Sequence, residues 1–536
     1  MNLESSFEFR LSKPWVKWLT LGILTLVITI IRLPTFWEFL WYGDENIYLA
    51  VGHGLANGQR LYQEVWDNKP PLLYLFYWLS YQIAGVDVWG FRLLNLGFSL
   101  VGLFAFWGLV YNLCRNLFKI QYPHLTTWFS SIFFGLFLAL GWEMGQFNAE
   151  NLYMPLIILG LYFWSLTFTS FHISKYVGIG ICFSLACLTK IHAIVEIAFL
   201  IYLMIWQSLE SRGVKNIKSI KSFFKYHISR LGLVIGLIIL PYIGIVVWYL
   251  SQGLGGILYY SILGFGSSYV AKNSPLILGL PIFGYPNSLI SNLQFRVLLI
   301  VILTSGLSLL RYRKLISYQY FFATLWLGVC FFGAMISERN YPHYLIQVFG
   351  SVSLLIGLVL NYLLTTKQPL VQKLQSLISI ILILNLGTII FGSSQIVPIY
   401  QPDIWYRFSK VLTNNMSLDE FQRSNNAGAY DRAKRLVPII TKYSTQKDKI
   451  YLVANSPELY LLSNRLSGHR QITDFQYDTS IQEVYQELIT NQTKLIIVDK
   501  NSPAKSQFDK LLSQDYVEVF VQETGDDYQV WLKAGS

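Results

Sequence analysis

A chain of 536 residues in which 53% are hydrophobic, 16% aromatic and only 13% charged does not have the composition of a soluble globular protein. A formal net charge of +11 would suit a nucleic-acid binder in a soluble chain, but here the cations cluster in short segments between apolar runs, as in the cytoplasmic loops of membrane proteins, and no nucleic-acid partner is expected. What remains is a polytopic α-helical membrane protein.

A helix needs about 20 apolar residues to cross a bilayer, and Lys and Arg in the connecting segments orient it. Arg10, Lys13 and Lys17 place the N-terminal arm in the cytoplasm, so a first span, about 18–36, leads to the outer face. No small-residue cleavage pattern follows this run, and it is expected to be a retained span rather than a signal peptide. An acidic and polar segment, 37–89, then lies outside. Within it, the aromatic stretch 71–85 is too short to cross comfortably and predicts an interfacial helix on the outer leaflet.

With that helix lying flat, a second span, about 90–113, ends at Arg115 and Lys119 on the inside. Further spans follow at about 125–142, 151–170, 176–189 and 193–208. The basic stretch from Arg212 through Lys215, Lys218, Lys221 and Lys225 to Arg230 is the strongest cytoplasmic signal in the chain. Spans at about 231–250, 289–310, 319–336, 344–363 and 375–393 complete a set of about 11, with a Gly- and Tyr-rich outer segment at 251–288. Cys114, Cys182, Cys187 and Cys330 lie in or at the ends of apolar runs without paired spacing and are expected to pack rather than to cross-link or bind metal.

From about 400 the composition turns polar. The expected division is therefore a transmembrane domain, 1–398, and a small extracytoplasmic α/β domain, 399–536. Lys449–Ala454 and Lys494–Asp499 read as buried parallel strands, 428–443, 456–463 and 480–491 as helices, and 516–522 and 528–533 as two final strands.

Span length and basic loops alone send Asp44, Glu45, Asp67, Lys69, Glu143, Glu150, Lys190, His192, Glu338, Arg339 and His343 to the same outer face. Ionisable residues at the ends of several spans usually face a bundle interior or a water-filled cavity. Asp44 and Glu45 read either as acids near a helix N-terminus or as a general base and its support, accepting the proton of an otherwise weakly nucleophilic hydroxyl. Lys69, before Pro70-Pro71, reads either as a snorkelling cation or as the ligand of a lipid-linked phosphate; Lys190 and Arg339 carry the same two readings. Asp67 reads as a partner for a neighbouring lysine or as part of the binding site. Asn148 either caps a helix or, with Glu150, serves the site, while Glu143 reads as ordinary loop chemistry. His192, His343 and Glu338 are ligand types that suit zinc, but without H-x-x-x-H or Cys spacing no metal is required.

Asp44-Glu45 after the first span, Leu-Ala-Asn-Gly-Gln-Arg-Leu-Tyr at 55–62, Trp66-Asp67-Asn68-Lys69-Pro70-Pro71, Asn148-Ala-Glu150, Leu-Thr-Lys190 and Tyr341-Pro-His343-Tyr344 together resemble the bacterial glycosyltransferases of the GT-C superfold, in the branch of the protein O-mannosyltransferases and the lipid A aminoarabinose transferase. The resemblance spans roughly residues 15–395. It implies transfer of a sugar, with inversion, from a polyprenyl monophosphate carrier to a lipid, glycan or protein acceptor at the outer face of the inner membrane, among membrane lipids as partners. It assigns the base to Asp44 and the carrier phosphate to Lys69. Some relatives carry Glu before that lysine and use it with histidines to hold zinc; Asn68 stands here, which argues further against a metal. The rival reading is a transporter or flippase of lipid-linked saccharides, whose inverted repeats would leave matching Gly- or Pro-interrupted helices; none pair in this sequence.

Overall fold

The computed structural model describes residues 3–140, 144–170, 172–212, 217–264, 293–336, 341–365, 370–392, 400–477, 479–519 and 527–535. The chain separates into two compact units, each assembled from distant stretches. One comprises Met1–Leu33, Asn95–Val247 and Ser268–Gln401; the other comprises Pro34–Leu94, Trp248–Ser267 and Pro402–Ser536.

The first unit is helical because its apolar runs can satisfy their backbone only internally once they are in lipid. Five helices of the described residues are long and apolar enough to cross a membrane: Pro14–Trp37, Trp89–Leu117, Ile228–Ser251, Tyr318–Met335 and His343–Leu364. Between and after them run Pro123–Ala139, Ala149–Leu166, Ile173–Thr189, Ile194–Arg212, Leu293–Tyr312 and Leu370–Gly392. The span expected at 231–250 is the second half of a longer helix, Ile217–Ser251; its basic first half is rich in Lys, Arg and Ile, none of which breaks a helix. All four cysteines are buried and free.

Polar anchors fix this bundle. Arg32, at the end of the first span, is buried and donates to Ser99 Oγ at 2.9 Å and to the Leu138 carbonyl at 2.5 Å. Asn95 donates through Nδ2 to the carbonyls of Met144, Gly145 and Gln146 at 2.9–3.1 Å, and Asn151 donates to the same Gln146 carbonyl. The segment leading to Asn148 is thereby held from both flanks.

The second unit is organised around a five-stranded sheet. Strands β1 (Lys449–Val453), β2 (Leu466–Ser467), β3 (Leu495–Asp499), β4 (Tyr516–Val519) and β5 (Tyr528–Lys533) lie in the order β2-β1-β3-β5-β4. β1 pairs in parallel with β2 and β3, whereas β5 runs antiparallel to both β3 and β4. The near-continuous apolar character of β1 and β3 follows from burial of both faces. Tyr451, Val453, Ile496 and Val498 meet Val484, Tyr485, Leu488, Phe508 and Leu512 in one core. The helices Tyr400–Leu412, Leu418–Asn425 and Lys505–Asp515 add to those read from the sequence.

Two short helices from the segment 37–89 complete this unit. Gly43–Ala56 has residues 45–54 buried, and Pro71–Ala84 starts on Pro71, whose fixed φ suits the first helical position. They pack closely because Gly52 has no side chain: a Cβ there would lie 2.8 Å from the Trp78 nitrogen and the Tyr77 carbonyl carbon. Gly85, at φ 60, turns the chain out of the second helix in a backbone conformation that side chains disfavour.

Candidate active site

In the second unit, Asp44 and Glu45 occupy the first turn of Gly43–Ala56, where the helix dipole favours negative charge. Their environments differ. Glu45 is 2% exposed and ion-paired with Arg92, whose other nitrogen lies 3.4 Å from Glu38. Glu45 is thus committed to fixing the helix start, whereas Asp44 remains partly exposed. The opposite flank of the helix is tied to the segment after 402. Asn46 donates to Glu458 at 3.4 Å, Glu458 also accepts from Arg432 at 2.6 and 3.0 Å, and His53 bonds Asn464 at 3.1 Å. Burial raises the Glu458 carboxyl above its ordinary range against the pull of Arg432, and burial lowers the His53 imidazole despite its bond to Asn464.

Lys69 projects from a backbone that is pinned on both sides. Its N–H donates to Tyr74 OH at 2.8 Å and its carbonyl accepts from Tyr62 OH at 2.6 Å. Tyr62 itself sits at φ 67, a strained conformation for a bulky residue, of the kind that gathers at functional sites. Nζ of Lys69 donates to Asn68 Oδ1 at 2.6 Å and lies 6.0 Å from the centre of the Tyr48 ring. Tyr48 is four residues beyond Asp44 and so shares its helix face, about 6 Å further along the axis. The base candidate and the phosphate candidate therefore neighbour successive turns of one helix face.

Asp67 does not pair with a lysine. It is buried, and its two oxygens accept from Tyr74 OH and Gln476 Nε2, each at 2.8 Å. Burial and the adjacent carboxylate raise the Tyr74 phenol well above its ordinary range, so it stays protonated and donates. Asp67 thus clamps the Lys69 segment to residues near the sheet, an arrangement that Trp66 repeats through its N–H to the Arg470 carbonyl at 2.8 Å.

The first unit carries a second cluster. Asn148 is fully buried directly before the helix Ala149–Leu166, and Glu150 in its first turn is ion-paired with Lys190. Lys190 is 3% exposed and lies 4.1 Å from the centre of the Tyr344 ring. It is a buried, paired cation, not one snorkelling to the interface. His343 stacks on Tyr341, their ring centroids 5.5 Å apart. His192 occupies the turn after Lys190, 6.5 Å from the Tyr344 ring. Glu143, Glu338 and Arg339 lie outside the described residues. Among the described residues no group of three or more His, Cys, Asp or Glu side chains converges as for a metal.

Sequence reasoning missed Arg92, Asn95 and Gln476. A charge in the opening turns of a span is a recognisable signal for Arg92. Gln476 gives none, because its partner is 409 residues away.

Residues 68–243 match the family model described as "Dolichyl-phosphate-mannose-protein mannosyltransferase". Residues 431–533 match a second, described as "Putative competence-induced protein Ccs4 C-terminal domain". Among solved structures, the chain is similar to ArnT from Cupriavidus metallidurans bound to undecaprenyl phosphate. The identity is 14%, the alignment covers 98% of this chain and 99% of that one, and the TM-score is 0.58. The apo state of the same ArnT aligns at 12% identity over 97% and 98% of the two chains, with a TM-score of 0.51. No curated protein sequence matches the chain.

The fold is therefore that of the GT-C membrane glycosyltransferases, a polytopic helical body carrying a small C-terminal sheet domain. Residues 68–243 are in addition similar in sequence to the dolichyl-phosphate-mannose-protein mannosyltransferases, and the whole chain shares its fold with ArnT.

Proposed function

We propose that this protein is an inverting glycosyltransferase that moves a sugar from a polyprenyl monophosphate carrier to an acceptor hydroxyl at the outer face of the inner membrane, with its N-terminus in the cytoplasm and the segment after 399 outside. The observation that carries the reading is the placing of a partly exposed Asp44 and a backbone-pinned Lys69 beside successive turns of one helix face. A structural relative of the same fold holds undecaprenyl phosphate, which supports a carrier of that kind.

In this reading the Asp44 carboxylate accepts the acceptor's hydroxyl proton while the oxygen bonds to the anomeric carbon from the side opposite the leaving group. The bond between that carbon and the phosphate oxygen breaks, and its electron pair leaves with the polyprenyl phosphate. The Lys69 ammonium offsets the charge that grows there. Glu45 takes no proton: paired with Arg92, it holds the helix start that presents Asp44. In the first unit, Lys190, His192, Tyr341 and His343 offer a further set of substrate-binding groups, with Glu150 as the internal partner that a phosphate would have to displace from Lys190. Asn148, Glu338 and Arg339 are assigned to the same set from the sequence.

The test is incubation of membranes with radiolabelled polyprenyl-phosphate sugars. Label is expected to leave the lipid in wild type, and Asp44→Asn is expected to slow this by on the order of 10²–10⁴ while the protein still inserts. Label that changes leaflet yet stays on its carrier would support a flippase instead.

A further inference from the structure

A cleft of about 480 Å³ in the second unit borders the Arg92 ion pairs through Glu38 alone. Its size falls within the roughly 300–1,000 Å³ of small-molecule sites. Trp37, Phe39 and Trp89 supply ring faces, and Glu38, Asp87 and Gln422 supply polar groups. Gln422 is held in place by donating to the Trp37 carbonyl at 3.3 Å.

Three observations identify the occupant's chemistry. First, Trp37 closes the first span-length helix and Trp89 opens the next, and both rings are partly exposed at 40% and 39%. Tryptophans at span ends sit at headgroup level, so the cleft opens where a lipid presents its polar part. Second, its charged lining residues are both acidic. Glu38 has its charge offset by Arg92, so the exposed Asp87 sets the sign here: its carboxylate accepts hydrogen bonds from hydroxyls, but beside low-dielectric ring walls it repels phosphate and other anions. Third, Glu38 shares Arg92 with Glu45, the residue next to Asp44. The cleft wall is thus linked by two ion pairs to the helix start that carries the proposed base.

We propose that this cleft seats the acceptor as the uncharged, hydroxyl-rich headgroup of a membrane lipid, whose sugar or polyol face stacks on Trp37 and Trp89 while its hydroxyls donate to Asp87 and to the Gln422 side-chain oxygen. This rests on the glycosyltransferase reading and names its acceptor class; anionic headgroups are excluded.

The test uses the full-length protein in nanodiscs, with bound lipid counted by native mass spectrometry. The probes are digalactosyl diacylglycerol and phosphatidylglycerol. The expected result is retention of the digalactosyl lipid at least tenfold over phosphatidylglycerol, lost in Trp37→Ala/Trp89→Ala. Asp87→Asn, on an exposed turn, should narrow the preference without unfolding the protein. Equal retention of phosphatidylglycerol, or a preference that neither variant alters, would overturn the proposal. Binding is read without turnover, so loss of the lipid preference with label still leaving the polyprenyl donor defeats the cleft alone. Retained preference with no label release instead defeats the transferase reading on which the acceptor role rests.

Discussion

At the scale of single residues, two carboxylates adjacent in sequence meet different surroundings: Glu45 is buried against Arg92, whereas Asp44 is partly exposed. Arg92 neutralises Glu45 and Glu38 in a buried setting, and breaking a buried pair from one side typically costs about 3–5 kcal/mol. Arg92→Gln is therefore expected to lower the thermal unfolding temperature in detergent sharply; a change near zero would contradict the anchoring role. His53 supplies a second residue-scale prediction. Burial holds its pKa below the ordinary 6.5, so its contribution is fully present above about pH 6.5 and is lost as pH falls through the lowered value. Wild type should lose stability faster than His53→Gln on acidification over that window, as read by melting at stepped pH; parallel profiles would contradict it. The candidate residues stand out in the sequence because charge inside or beside an apolar run is conspicuous. Their partners were less so: whether Asp67 meets a lysine or an amide depends on which distant strand-edge loop folds against it, and Gln476 carries no local mark.

At the scale of elements, the spacing between the helices Gly43–Ala56 and Pro71–Ala84 sets the distance from Asp44 to Lys69. Gly52 allows that spacing, and the atoms a Cβ would meet belong to the backbone of the opposing helix and cannot rotate away. Gly52→Ala is expected to cost about 1–3 kcal/mol as overpacking and to reduce transfer more than donor binding, since it shifts the base relative to the sugar. Unaltered melting and turnover would show that the helices separate freely. The short helix Pro71–Ala84 was legible from its length and its opening prolines. The helix Gly43–Ala56 was not, because its buried face surrounds most of the element and leaves no amphipathic period to read.

At the scale of the molecule, the fold class followed from composition, run length and basic loops, since a bilayer permits little besides helices. The small sheet domain was visible in β1 and β3, whose apolar runs mark strands buried on both faces. The gathering of residues 34–94 and 248–267 with the chain after 402 was not visible, because it depends on specific bonds such as Trp66 to Arg470 and Tyr249 OH to the Leu61 carbonyl at 3.0 Å. The most direct test of a base and a phosphate ligand beside one helix is a donor titration in proteoliposomes comparing wild type, Asp44→Asn and Lys69→Ala. The expected result is a kcat lowered by about two to four orders of magnitude for Asp44→Asn with donor KM little changed, and a raised donor KM for Lys69→Ala. Near-normal turnover by Asp44→Asn, or unchanged donor saturation by Lys69→Ala, would contradict it.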